Sequence, residues 1–225
     1  MLRNVRRWCG DRWLVRWLRL RHRNQLVLKP ALKSQLSWTD IPVTPTPNGS
    51  RILIPLLQTS HYQYYQILAL GKTLQLRGAS VRVLLCDSIL DGCEIKNSRM
   101  RIADPCMTCR VNARDLVGYF GLESVGLSDV IGTSERYTLR EKAVALARDY
   151  PARHEHLGID VIGMTNDSVT RHYYGALPLE GSPELKTQRQ RYLYSALIGI
   201  EVAAAIQGEW QPDAAVNDMG VYCDW

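Results

Sequence analysis

Four of the six cysteines fall within residues 86–109, spaced Cys86-x6-Cys93-x12-Cys106-x2-Cys109. Four thiolates can fill a tetrahedral zinc site, and the two-residue spacing of Cys106 and Cys109 lets a tight turn aim both sulfurs at one ion. An iron–sulfur cluster uses the same ligands. Two plainer readings compete. Cys86 ends an apolar run, where a free cysteine commonly serves as a small buried residue, and paired thiols form disulfides in an oxidising compartment. No apolar stretch with the flanks of a secretory signal points to such a compartment, so structural zinc is the leading expectation. It would hold a long loop, with no open coordination position for a substrate. His61, whose side chain type titrates near neutrality, follows an apolar run within a few residues. Arg171, His172 and Tyr173 form a polar-aromatic cluster suited to sugar stacking or phosphate contact, although Tyr173 and Tyr174 equally read as packing residues beside a surface arginine. His154 and His156, in a charged segment after Pro151, read as solvated side chains.

These residues need elements to position them, and the clearest lie between Arg51 and Asp87. Ile52 to Leu57 is a strand, Gln58 to His61 a loop, and Val81 to Leu85 a second strand. Between them Tyr64, Ile67, Leu68, Gly71 and Leu74 fall at helical spacing on one face. The order is a βαβ unit, which implies a Rossmann-like parallel sheet flanked by helices, with a ligand crevice at the carboxyl ends of its strands. His61 is expected at that crevice. Further along, Asn112 to Leu122 reads as a short helix stopped by Gly121, and Glu141 to Tyr150 as another ended by Pro151. Ile159 to Ile162 is a strand candidate, and Thr165 to Arg171 fits neither period. Pro183 opens a long helix through Ala204, and Pro212 to Asn217 reads as a strand whose following loop carries Asp218 and Gly220.

The domain organisation follows from composition. Residues 1–28 are a basic arm, 29–50 a linker rich in proline, and 51–225 a globular unit with a cysteine-rich insertion at 86–109. With 225 residues, 46% of them hydrophobic, the chain can bury a substantial core. Its net charge of +6 is concentrated: residues 1–25 hold eight arginines and one aspartate, so everything after them is close to neutral. A nearly neutral body argues against a nucleic-acid-binding face. In the arm, Arg12, Arg16 and Arg19 share one helical face while Trp13, Leu14, Trp17 and Leu18 cover the rest. Such a helix either lies on an anionic membrane surface or packs on the domain with a solvated basic side. No G-x-x-x-x-G-K-[ST] loop, G-x-S-x-G elbow or H-E-x-x-H pair occurs, which removes the P-loop, nucleophile-elbow and zinc-protease signatures.

The stretch from His61 through Arg77-Gly78, Val81 and Asp87 resembles the opening of GT-B glycosyltransferases. More narrowly, Leu85-Cys86-Asp87, Cys93-Glu94, Cys106-x2-Cys109, Tyr119-Phe120-Gly121-Leu122, Asp167 to Tyr174, Tyr194 to Leu197 and Gly220-Val221-Tyr222 resemble bacterial capsule and surface-polysaccharide biosynthesis proteins. The resemblance spans roughly residues 51–225. It implies two Rossmann-like domains facing across a cleft, the first binding a glycan or lipid-linked sugar acceptor and the second a nucleotide sugar. This chain matches the first, so the expectation is the acceptor half of a longer enzyme on the cytoplasmic side of the membrane. In some members of the superfamily a histidine in the first loop is the base, which makes His61 the candidate. Asp218 is the competing base, with Asp224 beyond it, and Ser60, Arg171, Tyr173 and Gly220 are candidate substrate contacts. The alternative from another class is a metal-stabilised α/β module that binds a glycan or lipid carrier without catalysis.

Overall fold

The computed structural model describes residues 49–57, 63–93, 96 and 104–217. The basic arm, nearly all of the linker, and Ser60, His61, Asp218, Gly220 and Asp224 lie outside the described residues. In chain order the elements are β1 (Arg51–Leu56), α1 (Gln63–Leu76), β2 (Ser80–Leu85), α2 (Pro105–Phe120), β3 (Glu123–Gly126), α3 (Leu127–Val130), α4 (Thr133–Asp149), β4 (Glu155–His156), β5 (Ile159–Asp160), α5 (Val161–His172), α6 (Pro183–Glu209) and β6 (Ala214–Ala215).

Among the described residues the main sheet has four strands in the order β3-β2-β1-β6, and every neighbouring pair is parallel. The expected α/β architecture is therefore present. β1 is buried on both faces, as a strand between two helical layers must be. Ile52, Ile54, Leu56, Val81, Val83 and Leu85 pack with Tyr64 and Leu68 of α1 and Leu116, Val117 and Phe120 of α2. Leu53, Leu57 and Leu84 face the other way, into a core built with α3, α4, α5 and α6. Pro55 sits inside β1 without breaking it. Arg51 and Leu53 turn their carbonyls toward β6, accepting from Asp213 and Val216. Pro55 has the same parity but lies beyond the Ile52–Leu53 stretch that pairs with β6, so its missing N–H leaves no ladder bond unmade.

Several boundaries differ from the sequence reading. α2 starts at Pro105, seven residues before the expected cap Asn112, because the Asp104 side chain accepts from Met107 N and Pro105 suits the first turn. Gly121 does stop it, in a left-handed conformation with φ 58°. Cys106 and Cys109 consequently sit in the first two turns of a helix and not in a tight loop. α4 likewise begins at Thr133, in a polar stretch whose main inward anchor is Leu139. The expected strand at Ile159 lasts two residues in a small antiparallel hairpin with β4. Asp160 then caps α5 by accepting from Ile162 N, so Val161 onward, including the unassigned Thr165 to Arg171, is helical. β3, Glu-Ser-Val-Gly with no residue classed as buried, was not foreseen. α6 spans 27 residues and is buried without a break from Tyr192 to Ile198, which makes it the central helix of its layer.

Candidate functional site

A cavity of about 290 Å³ opens at the carboxyl ends of β1, β2 and β3. Its floor is apolar: Leu56 and Leu57 end β1, Leu85 ends β2, and Leu90 and Ala113 close the sides. Parallel strands place their loops at this end, so the location is the one the topology dictates. Above the floor stand Asp87 and Ser88 from the β2 loop, Ser124, Gly126, Ser128 and Asp129 from β3 and α3, and Lys96, Arg110 and Arg114. Arg110 and Arg114 lie four residues apart on α2, both exposed, giving the opening two guanidinium groups.

All four clustered cysteines line this cavity, and none of the four is joined in a disulfide. Among the described residues, however, no three His, Cys, Asp or Glu side chains stand together so as to hold a metal ion. The thiols as placed form a wall and not a coordination shell. Burial pushes the Cys86 thiol up to about 11, against hydrogen bonds from the Leu90 and Ser88 amides that favour the thiolate. Burial raises Cys106 as well, opposed by nearby Lys96. These side chains are protonated at neutral pH and present no nucleophilic sulfur.

The loop carrying Cys93 is fastened at three points. Asp91 accepts from Lys96 Nζ at 2.8 Å and from Arg140 Nη1 of α4 at 2.6 Å. Burial alone would raise the Asp91 carboxyl, but the two hydrogen-bonded cations outweigh it and hold the group below the ordinary carboxylate range. The third point is Gly92, whose N–H donates to Ser195 Oγ at 2.7 Å in a buried contact with α6. A Cβ at residue 92 would stand 2.6 Å from Tyr192 Cα, so only glycine allows this approach.

Asp87 has the most constrained polar side chain in the cavity. Its Oδ2 accepts from Ser128 N at 3.2 Å and from Ser128 Oγ in a short hydrogen bond. Its Oδ1 is buried and has no hydrogen-bond partner among the described residues. The backbone there is strained: Asp87 has φ 44° and Ser88 φ 78°, two successive non-glycine residues in the left-handed region. Across the cavity, Asp129 Oδ2 accepts from Gly126 N at 3.0 Å and ties down the turn after β3.

The other expected residues are placed elsewhere or not described. Arg171 and Tyr173 end α5 and do not line the cavity. Tyr173 donates its hydroxyl to Glu184 at 3.2 Å and packs on the small core of Val169, Leu185, Tyr192 and Ala196. His172 meets Tyr173 edge-on with centroids 4.8 Å apart. Tyr192, which meets the His172 ring with centroids 6.0 Å apart, is also the residue against which Gly92 is packed. His156 is not solvated, contrary to expectation: it is wedged between Lys142 Nζ at 2.8 Å and Glu201 Oε1 at 2.7 Å. It joins the β4–β5 hairpin to α4 and α6. The sequence reading missed Asp87, Ser128, Arg110 and Arg114 as site residues. For Asp87 the signal was available, since it is the first charged residue after an apolar strand and so falls at the crevice of a parallel sheet.

No protein-family model matches the chain, and no curated protein sequence does. Among solved structures, the chain is similar to a crystal structure of cyclo(L-leucyl-L-phenylalanyl) synthase at 15% identity, covering 78% of this chain and 81% of that one, with a TM-score of 0.41. A likeness of that degree carries no information about what this chain does.

Proposed function

We propose that the chain is the acceptor-binding domain of a GT-B-type glycosyltransferase in surface-polysaccharide assembly, acting at the cytoplasmic face of a membrane to which residues 1–25 attach it. One observation supports this reading above the others: the polar, apolar-floored cavity at the carboxyl ends of β1, β2 and β3. Parallel sheets carry their ligand sites at the carboxyl ends of the strands. In sequence, Ser60 and His61 follow β1, and Asp218 and Gly220 follow β6. In the reaction the acceptor hydroxyl attacks the anomeric carbon of a nucleotide sugar. The bond from that carbon to the nucleoside diphosphate breaks, and the hydroxyl proton passes to His61 or Asp218. A second domain, downstream of Trp225, would hold the nucleotide sugar.

The test is to extend the reading frame past Trp225, purify the product, and measure transfer of labelled sugar from nucleotide sugars to glycan and lipid-linked acceptors. Transfer that is abolished by His61→Ala supports the proposal with His61 as base, and transfer that survives it moves the role to Asp218. A stop codon directly after Trp225, with a product that binds glycans and transfers nothing, would replace the proposal with the non-catalytic module.

A further inference from the structure

We infer that Arg110 and Arg114 form a phosphoryl-binding subsite at the mouth of the cavity. The inference rests on reading the cavity as an acceptor site and deepens it: the acceptor is a phosphorylated sugar, its ring on the leucine floor and its phosphoryl group on the two guanidinium groups.

The charges around the cavity divide into groups the protein pairs and groups it leaves open. Five charged side chains line it: Lys96, Arg110, Arg114, Asp87 and Asp129. Lys96 is held by Asp91, which also takes Arg140, so the charges of that trio are met within the protein. Asp87 accepts from Ser128, and Asp129 from the Gly126 amide. Both carboxylates keep their charge and repel an anion, but they stand on the β2 loop and α3, whereas the arginines stand on α2. Among the described residues, Arg110 and Arg114 have no hydrogen bond or ion pair. The neighbouring acids of α2 do not neutralise them. Asp104 caps the helix nearly two turns before Arg110, its side chain accepting from Met107 N, and Asp115 follows Arg114 at about 100° around the helix, off the cavity lining. Two cations of the wall thus face the opening with their donors unused.

The class of anion follows from the spacing. Residues four apart on a helix have Cβ atoms about 5–6 Å from each other, so the planar forks of Arg110 and Arg114 can close on one group. A carboxylate offers two oxygens in one plane, which a single fork fills. The terminal oxygens of a phosphoryl group diverge tetrahedrally and can accept from both forks. Ser88 and Ser124 bring hydroxyls to the same lining. The volume of about 290 Å³ sits at the small end of the ~300–1,000 Å³ typical of small-molecule sites, which suits a single pyranose with its C–H face on the leucine floor. A phosphorylated sugar occurs free or as the headgroup of a lipid carrier, and both present the same oxygens to the arginines.

The experiment titrates the purified chain with the 1-phosphates of glucose, galactose, mannose and N-acetylglucosamine and with their methyl pyranosides, using ligand-observed nuclear magnetic resonance. At least one sugar phosphate should bind the wild type about tenfold or more tighter than its methyl pyranoside, because hydrogen bonds between charged groups are the strong ones. Arg110→Gln combined with Arg114→Gln should remove that advantage and leave the pyranoside unchanged. Both positions are exposed, and glutamine suits a helix about as well as arginine, so the fold survives the change. Arg148→Gln, an exposed position of α4 outside the cavity, should alter nothing. The octyl phosphodiester of the bound sugar distinguishes the sources: binding as tight as the monoester marks a lipid-linked ligand, loss of binding marks a free sugar phosphate, and either supports the inference. Sugar phosphates no tighter than their pyranosides, an advantage that survives the double substitution, or methyl glucuronide bound as tightly as glucose 1-phosphate overturns the phosphoryl subsite while leaving the acceptor reading standing. Methyl phosphate bound as tightly as the sugar phosphates, with no pyranoside bound, overturns the acceptor reading and leaves the subsite. No binding of any probe overturns both.

Discussion

Gly92→Ala is the substitution that most severely tests how the cavity is built. The added methyl would lie 2.6 Å from Tyr192 Cα and 2.8 Å from the Arg191 carbonyl oxygen, both backbone atoms of the long buried helix α6. Ordinary carbon–carbon contact is about 3.5 Å, so the loop must retreat by roughly 0.9 Å. A retreat along that direction stretches the 2.7 Å hydrogen bond from Gly92 N to Ser195 Oγ to about 3.6 Å, beyond useful range. Overpacking against rigid neighbours costs about 1–3 kcal/mol, and a buried amide left unpaired adds about 1–2 kcal/mol. A total of about 2–5 kcal/mol corresponds, in a domain of this size, to a fall in Tm of roughly 5–20 °C. Ser195→Ala isolates the second contribution and should lower Tm by only about 2–8 °C. Thermal unfolding followed by circular dichroism measures both. A Gly92→Ala variant melting within about 2 °C of wild type would refute the claim that this loop is clamped to α6 by close backbone approach.

Two further expectations concern protonation. Asp91 is depressed by Lys96 and Arg140 in the folded chain, so its contribution to stability is fully present above the ordinary aspartate value near ~3.9 and is lost as pH falls through the depressed folded value; the stability gap between wild type and Asp91→Asn, measured by urea unfolding, should close as pH drops from 5 toward 2, and a constant gap would contradict the assignment. Cys86 is raised by burial to about 11, so at pH 8 its thiolate fraction is roughly 100-fold below that of an unperturbed thiol and alkylation by iodoacetamide should be slower in the native protein by about that factor, still climbing between pH 8 and 10. Peptide mass spectrometry reads the rate at each cysteine separately, and equal native and unfolded rates at Cys86 would refute it.

The parts of the fold legible in sequence were those with strong periodicity. β1, α1 and β2 were readable because strands buried on both faces are continuous apolar runs and α1 repeats its apolar face at helical spacing. The long helix from Pro183 was readable from its proline start and its length. β3 was not, because Glu123 to Gly126 is short, polar and half-exposed, and its pairing with β2 is a tertiary fact. α2 was shortened because the cap at Asp104 acts through a side chain hydrogen bond that competes with an equally plausible cap at Asn112. At the site, the cysteine spacing led to the expectation of a four-thiolate metal site; the four side chains line one cavity, and spacing says nothing about whether they face one point. Asp87 was legible as the first charged residue beyond β2, at the crevice of a parallel sheet, but its positive φ and its bonds to Ser128 are tertiary facts that sequence does not display. His156 was misread for a related reason: its partners Lys142 and Glu201 come from helices distant in the chain.

The central claim is that the cavity at the carboxyl ends of β1, β2 and β3 is where a sugar binds. Amide chemical-shift mapping of the isotopically labelled chain, titrated with methyl pyranosides, tests it most directly. The account predicts saturable shifts concentrated at Asp87, Ser88, Arg110 and Ser128, with Arg171 to Tyr173 unmoved. Shifts centred on the Arg171 cluster with the cavity silent would contradict it.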